Sequence, residues 1–123
     1  MVQRRTRLRQ AAWGLGLVLA PTLLAADTRF ALDAAEWARP RSAEAVTAMP
    51  AVRDAVRAWA QTPSAELVVR HPSGESGLLW GEELRSWLVA LGVPGDATVL
   101  AVGGGLDGEV ELMIRRTTNG GRQ

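Results

Sequence analysis

Between residues 29 and 116 the chain alternates segments with strand spacing and segments with helical spacing, and this alternation leaves few folds open to it. Residues 29–33, 66–71 and 98–102 have the alternating or β-branched pattern of strands, and a fourth strand follows at 109–114. Two helical intervals separate the first three strands. The order β-α-β-α-β-β predicts an α/β (α+β) two-layer sandwich, with two helices on one face of a mixed sheet.

Apolar residues at helical spacing define the two main helices. Pro50 suits the first turn of one helix, because a missing N–H costs nothing there. The second helix is predicted at 76–91, before the Gly92 and Pro94 stop. Ser42 is predicted to cap a short helical segment ending at Thr47, and residues 34–41 are predicted to be a connector. The predicted buried stripes are Val52, Ala55, Val56 and Trp59 in one helix, and Trp80, Leu84, Trp87, Leu88 and Leu91 in the other.

The first 26 residues have the pattern of a secretory signal peptide. Four arginines at positions 4, 5, 7 and 9 precede an uncharged stretch at 10–26, which ends in Leu24-Ala25-Ala26. The apolar part is shorter than the roughly 20 residues of a membrane-spanning helix, and Pro21 interrupts it. We predict cleavage after Ala26 and export by the Sec or the twin-arginine route. A retained N-terminal membrane anchor is the alternative.

Removal of this segment changes the charge of the protein. The intact chain has 123 residues and a net charge of +1, whereas residues 27–123 keep ten arginines against all 13 acidic residues. A net charge near −3 offers no basic stripe for phosphates, so nucleic-acid binding is not expected. The chain has no Cys. An exported, cysteine-free domain at 27–116 with a flexible tail at 117–123 fits the periplasm, and membrane contact is expected only through the signal segment.

Three segments resemble the OmpA-like C-terminal domain, a periplasmic module that binds peptidoglycan. Phe30-Ala31-Leu32-Asp33 resembles its opening Phe-x-Phe-Asp strand, and Leu67-Val68-Val69-Arg70-His71 resembles its Leu-x-Val-x-Gly-His strand. Residues 87–93 resemble the Tyr-Leu-x-x-x-Gly-Val that ends its second helix. The likeness covers about residues 29–103. It implies a shortened OmpA-like fold.

The chain departs from this family at the residues that bind ligand. In the family a Thr-Asp pair follows the His, and the Asp helps to hold the diaminopimelate of the stem peptide; here Pro72 and Ser73 stand there. The alignment also places Trp80 where the family has the Arg that binds the ligand carboxylate. Without that guanidinium and carboxylate, charge-assisted recognition of a diamino acid has no evident source.

The residues after the second strand suggest a binding loop rather than a catalytic one. His71, Ser73 and Glu75 are close in sequence, but a triad needs a base that contacts a nucleophile and is oriented by a third group. Residues two apart on an extended loop do not converge in that way. We predict weak ligand or partner contacts from Arg70 and these three residues. A small hydrolase using the His71 region is the alternative, and with one His and no Cys no metal or cofactor is expected.

A second candidate contact region precedes the first helix. Trp37 lies off any clear period and is predicted to be an exposed contact residue, whereas Trp59, Trp80 and Trp87 are predicted to be core. Arg39 and Arg41 are candidates for an acidic partner. Taken together, the sequence predicts a non-catalytic periplasmic binding or scaffold module that engages another envelope protein. Residual peptidoglycan binding through rearranged contacts is the alternative function.

Overall fold

The computed structural model describes residues 28–104 and 108–118, together with Gly14 and Gly16. A 3-10 turn at Gly95–Ala97 precedes the third strand. In chain order the elements are β1 (Thr28–Asp33), α1 (Ala34–Trp37), α2 (Ala43–Ala48), α3 (Pro50–Ala60), β2 (Ala65–His71), α4 (Glu75–Ala90), β3 (Thr98–Val102) and β4 (Glu109–Arg116).

The four strands form one mixed sheet in the order β1-β4-β2-β3. β4 lies between β1 and β2 and is antiparallel to both, with Phe30 opposite Leu112 and Val69 opposite the same residue. β2 and β3 are parallel, with Val69 beside Leu100. The parallel pair needs a crossover, and α4 supplies it. The predicted two-layer α/β sandwich is confirmed.

Helices α3 and α4 cover one face of this sheet. α3 contacts β1, β4 and β2, whereas α4 contacts β2 and β3. Alternate strand residues point into the layer between helices and sheet, as the period of two requires. The largest fully buried side chains there are Leu32, Val46, Val52, Leu67, Val69, Leu84, Leu88, Val93, Val110 and Leu112.

Local side-chain contacts start the helices. The Asp33 carboxylate accepts from the Glu36 N–H at 2.7 Å and caps α1, so the predicted connector at 34–41 begins instead with a helix. The Ser42 hydroxyl accepts from the Ala45 N–H at 3.1 Å, which confirms its predicted role at α2. Pro50 occupies the first turn of α3, also as predicted.

The tryptophans differ in part from their predicted environments. Trp37, predicted to be exposed, has only 5% of its surface accessible, so that prediction is wrong. Trp59, Trp80 and Trp87 pack against the core but are only partly buried. Trp80 and Trp87 lie at the margin of the buried stripe of α4, and Trp59 lies in the last turn of α3, so that part of each large ring reaches the surface, whereas α1 turns the Trp37 ring into the protein.

The chain termini lie partly outside the described residues. The predicted signal peptide lies outside them, except for Gly14 and Gly16, and it stays a prediction. At the other end, Thr117 was predicted to begin a flexible tail, but its N–H and hydroxyl both donate to the Ser64 carbonyl, at 2.8 and 2.7 Å. Among the described helices, none combines the length and the apolarity needed to cross a membrane.

Candidate functional site

The predicted site residues at the end of β2 separate onto the two faces of the sheet. Consecutive strand residues point in opposite directions. His71 is therefore buried on the helical face, whereas the Arg70 side chain lies on the opposite face of the sheet. Ser73 and Glu75 are exposed beyond the strand end and at the start of α4. The four residues do not form one constellation.

Close packing against α4 encloses His71. Its Nδ1 lies 2.9 Å from the Pro72 carbonyl oxygen, which only accepts, so Nδ1 carries the proton. A Cβ at Gly81 would lie 2.9 Å from the ring Cδ2, and one at Gly77 would lie 2.0 Å from the Pro72 oxygen. Only glycine fits at these two positions of α4. The imidazole therefore serves the packing of the helix on the strand end and contacts no nucleophile in the described part of the chain.

Arg70 belongs to an ion-pair network on the sheet face opposite the helices. Its Nη1 lies 3.2 Å from Glu111 Oε1, and Arg29 Nε approaches the same oxygen at 3.8 Å. Arg70 and Glu111 are register neighbours on β2 and β4. The guanidinium also passes close to Gly103, where a Cβ would lie 2.8 Å from Nη2. Arg70 is therefore already paired, and a ligand would have to compete with Glu111 for it.

Trp37 and Arg41 contact each other on the side of α4 that faces α1. The Arg41 guanidinium carbon stands 4.8 Å from the centre of the Trp37 ring, and Nη1 donates to the Trp37 carbonyl at 2.6 Å. Nε and Nη2 each lie 2.8 Å from Oε1 of Glu83, which is on α4. This contact spans 42 residues of sequence and ties the chain after α1 to α4.

A groove of about 410 Å³ opens between α1 and α4, next to this cluster. Leu79, which is 58% exposed, and the partly buried Trp80 ring supply apolar surface to the groove, whereas only 5% of Trp37 is accessible. Trp80 Nε1 is buried and makes no hydrogen bond in the described part of the chain. The residues that line the groove are Ala34, Trp37, Ala38, Arg41, Ser76, Leu79, Trp80 and Glu83.

The groove contains residues that were not among the predicted binding residues. Trp37 and Arg41 were candidates, but Leu79, Trp80 and Glu83 were not assigned to a site. A signal for them existed, since Leu79 and Trp80 lie four and three residues before Glu83, and positions at this spacing are neighbours on a helix surface. Their partner element, α1, was predicted as a connector, so nothing in the sequence placed a second wall opposite them.

Arg39, the remaining predicted contact residue, lies outside the groove. It is exposed and borders a separate hollow of about 340 Å³ with Glu36, Pro40 and Met49. Arg39 and Arg41 therefore do not form a common basic patch for an acidic partner. Arg41 is turned toward Trp37 and Glu83, whereas Arg39 faces the other side of the short connection to α2.

No group of three or more His, Asp or Glu side chains within residues 28–104 and 108–118 is arranged to hold a metal ion. Comparison of the chain with protein-family models, curated proteins and solved structures found no match. The groove between α1 and α4, with its stacked Trp37–Arg41 pair, is the candidate site that the geometry supports best.

Proposed function

We propose that the chain is a non-catalytic binding or scaffold module of the bacterial cell envelope, and that it engages another envelope protein. In this proposal the first 26 residues direct export to the periplasm by the Sec or twin-arginine route. The domain that remains has a two-layer α/β fold, which is compatible with the OmpA-like resemblance of its sequence. Because one fold hosts many functions, the proposed function depends on the groove and not on the fold.

The observation that carries the proposal is the composition of the groove. Leu79 and the partly buried Trp80 give it apolar surface, the almost fully buried Trp37 ring lies beside them, and its two charged side chains, Arg41 and Glu83, already pair with each other. Aromatic residues beside an arginine are typical of the few positions that supply most of the affinity in protein interfaces. An apolar side chain of a protein partner fits this surface without breaking the ion pair.

The position of His71 favours binding over catalysis. The ring is buried beneath α4, and its Nδ1 proton is directed to the Pro72 carbonyl. A general base must lie within hydrogen-bond reach of the proton that it removes, and Ser73 makes no hydrogen bond to this ring in the described part of the chain. Turnover of ester or cell-wall substrates that is abolished by His71→Ala would contradict the proposal.

One observation favours residual peptidoglycan binding as a second candidate. The family resemblance places Trp80 where a ligand-binding Arg is expected, and Arg41 and Glu83 stand beside Trp80 in the groove. A diamino acid that displaced this pair would find one guanidinium and one carboxylate a few ångströms apart. Co-sedimentation of the protein with isolated sacculi tests this candidate, and absence of binding at low salt excludes it.

Site-specific photocrosslinking in the native envelope tests the main proposal. A photoactivatable residue at position 79 lies in the groove, and one at the exposed position 61, beyond α3, is the control. We expect one defined adduct from position 79, no adduct from position 61, and loss of the adduct when Arg41→Glu places two carboxylates together in the groove. Equal labelling from both positions, or an adduct insensitive to Arg41→Glu, would count against the groove as the binding site.

A further inference from the structure

The outer edge of β3 lacks the charged residues and the prolines that normally prevent pairing between the edges of two sheets. β3 pairs with β2 on one side and, among the described strands, has no neighbour on the other. Its five residues, Thr-Val-Leu-Ala-Val, include no charge and no proline. β1, the strand at the opposite edge, carries Arg29 and Asp33. Charged side chains, especially at edges, normally prevent strand addition, so the two edges of this sheet differ in what they allow.

The backbone of β3 presents hydrogen-bonding groups outward. The Gly103 N–H donates to the His71 carbonyl of β2 at 2.9 Å. In a parallel strand the backbone N–H and C=O groups of alternate residues point to opposite sides. The backbone groups of Val99 and Ala101 therefore also face β2, whereas those of Leu100 and Val102 face away from it. Val102 has 68% of its surface exposed. No hydrogen bond joins these outward groups to another segment of the described chain, so they can pair with an added strand.

One side of α4 adds an apolar strip beside this edge. Arg85 donates from Nε to Thr98 and from Nη2 to the Gly95 carbonyl, which places its side of the helix at the β3 margin. Leu78, Glu82 and Val89 lie on that same side, at helical spacing from Arg85. Leu78 is 41% and Val89 44% exposed. Three of the four exposed large hydrophobic residues of the described chain therefore flank the same edge.

We propose that two copies of this chain dimerise through this edge. Around a twofold axis Leu100 pairs with Leu100 of the second copy, and Val99 lies opposite Ala101, so the two sheets join into one antiparallel interface. α4 lies above β2 and β3, so its axis is about one strand spacing, ~5 Å, from the twofold axis. The two α4 helices are then ~10 Å apart, which is the upper end of the 8–10 Å range of packed helices.

Charge complementarity selects a second copy as the occupant. The twofold axis makes the helices antiparallel and brings Glu82 of one copy toward Arg85 of the other. In the described chain Arg85 Nη1 donates no hydrogen bond, so it has a donor for that carboxylate. The same symmetry brings Leu78 toward Val89 of the other copy. No like charges face each other across the strands, because β3 is uncharged.

Matched lysine substitutions test the dimer in the purified full chain. We expect a mass of twice 13.2 kDa by analytical ultracentrifugation. Val102→Lys and Leu78→Lys place a charge in the interface and should raise the dimer dissociation constant by about tenfold or more. Leu79→Lys is the control, since it changes the adjacent residue on the groove side of the same helix. Circular dichroism checks that each variant is folded.

Cysteine pairing tests the register directly. The chain has no Cys, so an introduced thiol has no competitor. Val99 and Ala101 of the second copy would form a non-hydrogen-bonded pair with Cα atoms about 4.5 Å apart, within disulfide range. Mild oxidation of mixed Val99→Cys and Ala101→Cys chains should give a covalent heterodimer, and each variant alone should give much less. A monomeric wild-type chain at tens-of-micromolar concentration, about the range of weak dimers, or equal effects of Leu78→Lys and Leu79→Lys, would overturn the proposal.

Discussion

Glu111 shows how single residues on the sheet face opposite the helices depend on one another. Its carboxylate is only 13% exposed and lies between the guanidinium groups of Arg70 and Arg29. Glu111 lies in the predicted alternating strand, and Arg70 was predicted as a ligand or partner contact. The alternation of β4 places Glu111 on the face opposite that of Leu112, but its pairing with Arg70 joins residues 41 apart and depends on the register of β2 with β4.

We predict that Glu111→Gln destabilises the fold by about 1–2 kcal/mol, because it leaves the partly buried Arg70 without its carboxylate partner. Urea unfolding monitored by tryptophan fluorescence measures this change. Glu66→Gln is the control: it breaks the Arg115 pair, in which the arginine is about half exposed, and should cost about 0.5 kcal/mol. Equal losses of unfolding free energy for the two variants would show that partial burial of the Arg70–Glu111 pair adds nothing to its contribution to stability.

The prediction that Trp37 is exposed was wrong because the burial of this residue also depends on contacts with distant residues. Its neighbours in the sequence have no helical period long enough to define a buried face. The Asp33 cap starts a four-residue helix, α1, and Arg41 then stacks on the Trp37 ring from the residues that follow. An Asp followed three residues later by Glu was a visible cap signal, but the cover that Arg41 provides depends on Glu83 of a distant helix.

At the scale of elements, α4 contacts the end of β2 through two glycines one turn apart. Gly77 meets the Pro72 carbonyl and Gly81 meets the His71 ring. The apolar stripe of α4 was predicted with Leu84 and Leu88 at its centre, and both are fully buried. The glycines extend that stripe toward the start of the helix, and they set how closely it approaches the sheet. Glycine has no side chain and adds nothing to a pattern of apolar residues, so the sequence-based prediction left out the contacts of Gly77 and Gly81.

We predict that Gly81→Ala destabilises the protein by about 1–2 kcal/mol, because the Cβ displaces the His71 ring and this outweighs the gain in helix propensity. In a His71→Ala background the same substitution should be neutral or stabilising. Gly77→Ala is the matched control: its clash is with the Pro72 backbone, so His71→Ala should not relieve it. Free energies of unfolding for the double-mutant cycle measure the coupling, and a coupling equal at both glycines would refute the assignment.

At the scale of the whole molecule, the sheet order sets which strands are most protected. Among the described strands, β4 and β2 each have two neighbours, whereas β1 and β3 have one. β2 and β4 also contribute much of the buried core, with Leu67, Val69, Val110 and Leu112. Stability against local opening follows the number of buried and paired neighbours, so the two central strands form the most stable part of the domain.

Amide hydrogen exchange followed by NMR tests this order. We expect the slowest amides in β2 and β4, and faster exchange in β1 and β3, because an edge strand can open without breaking the central ladder. In concentrated samples the exchange of the outward-facing amides of Leu100 and Val102 should become slower, because the proposed dimer would place them in hydrogen bonds. Exchange in β1 that is as slow as in β4 would show that the sheet opens only as one unit.

The sequence by itself determined the elements with strong local signals: the four strands, the two long helices, the cap at Ser42, the helix start at Pro50, and thus the two-layer class. Periodicity and capping are properties of neighbouring residues, so they can be read without a fold. Only the tertiary structure decided the strand order, the groove between α1 and α4, and the separation of Arg70 from His71. Those features join residues tens of positions apart, and their geometry depends on strand register and helix packing, which one sequence does not encode locally.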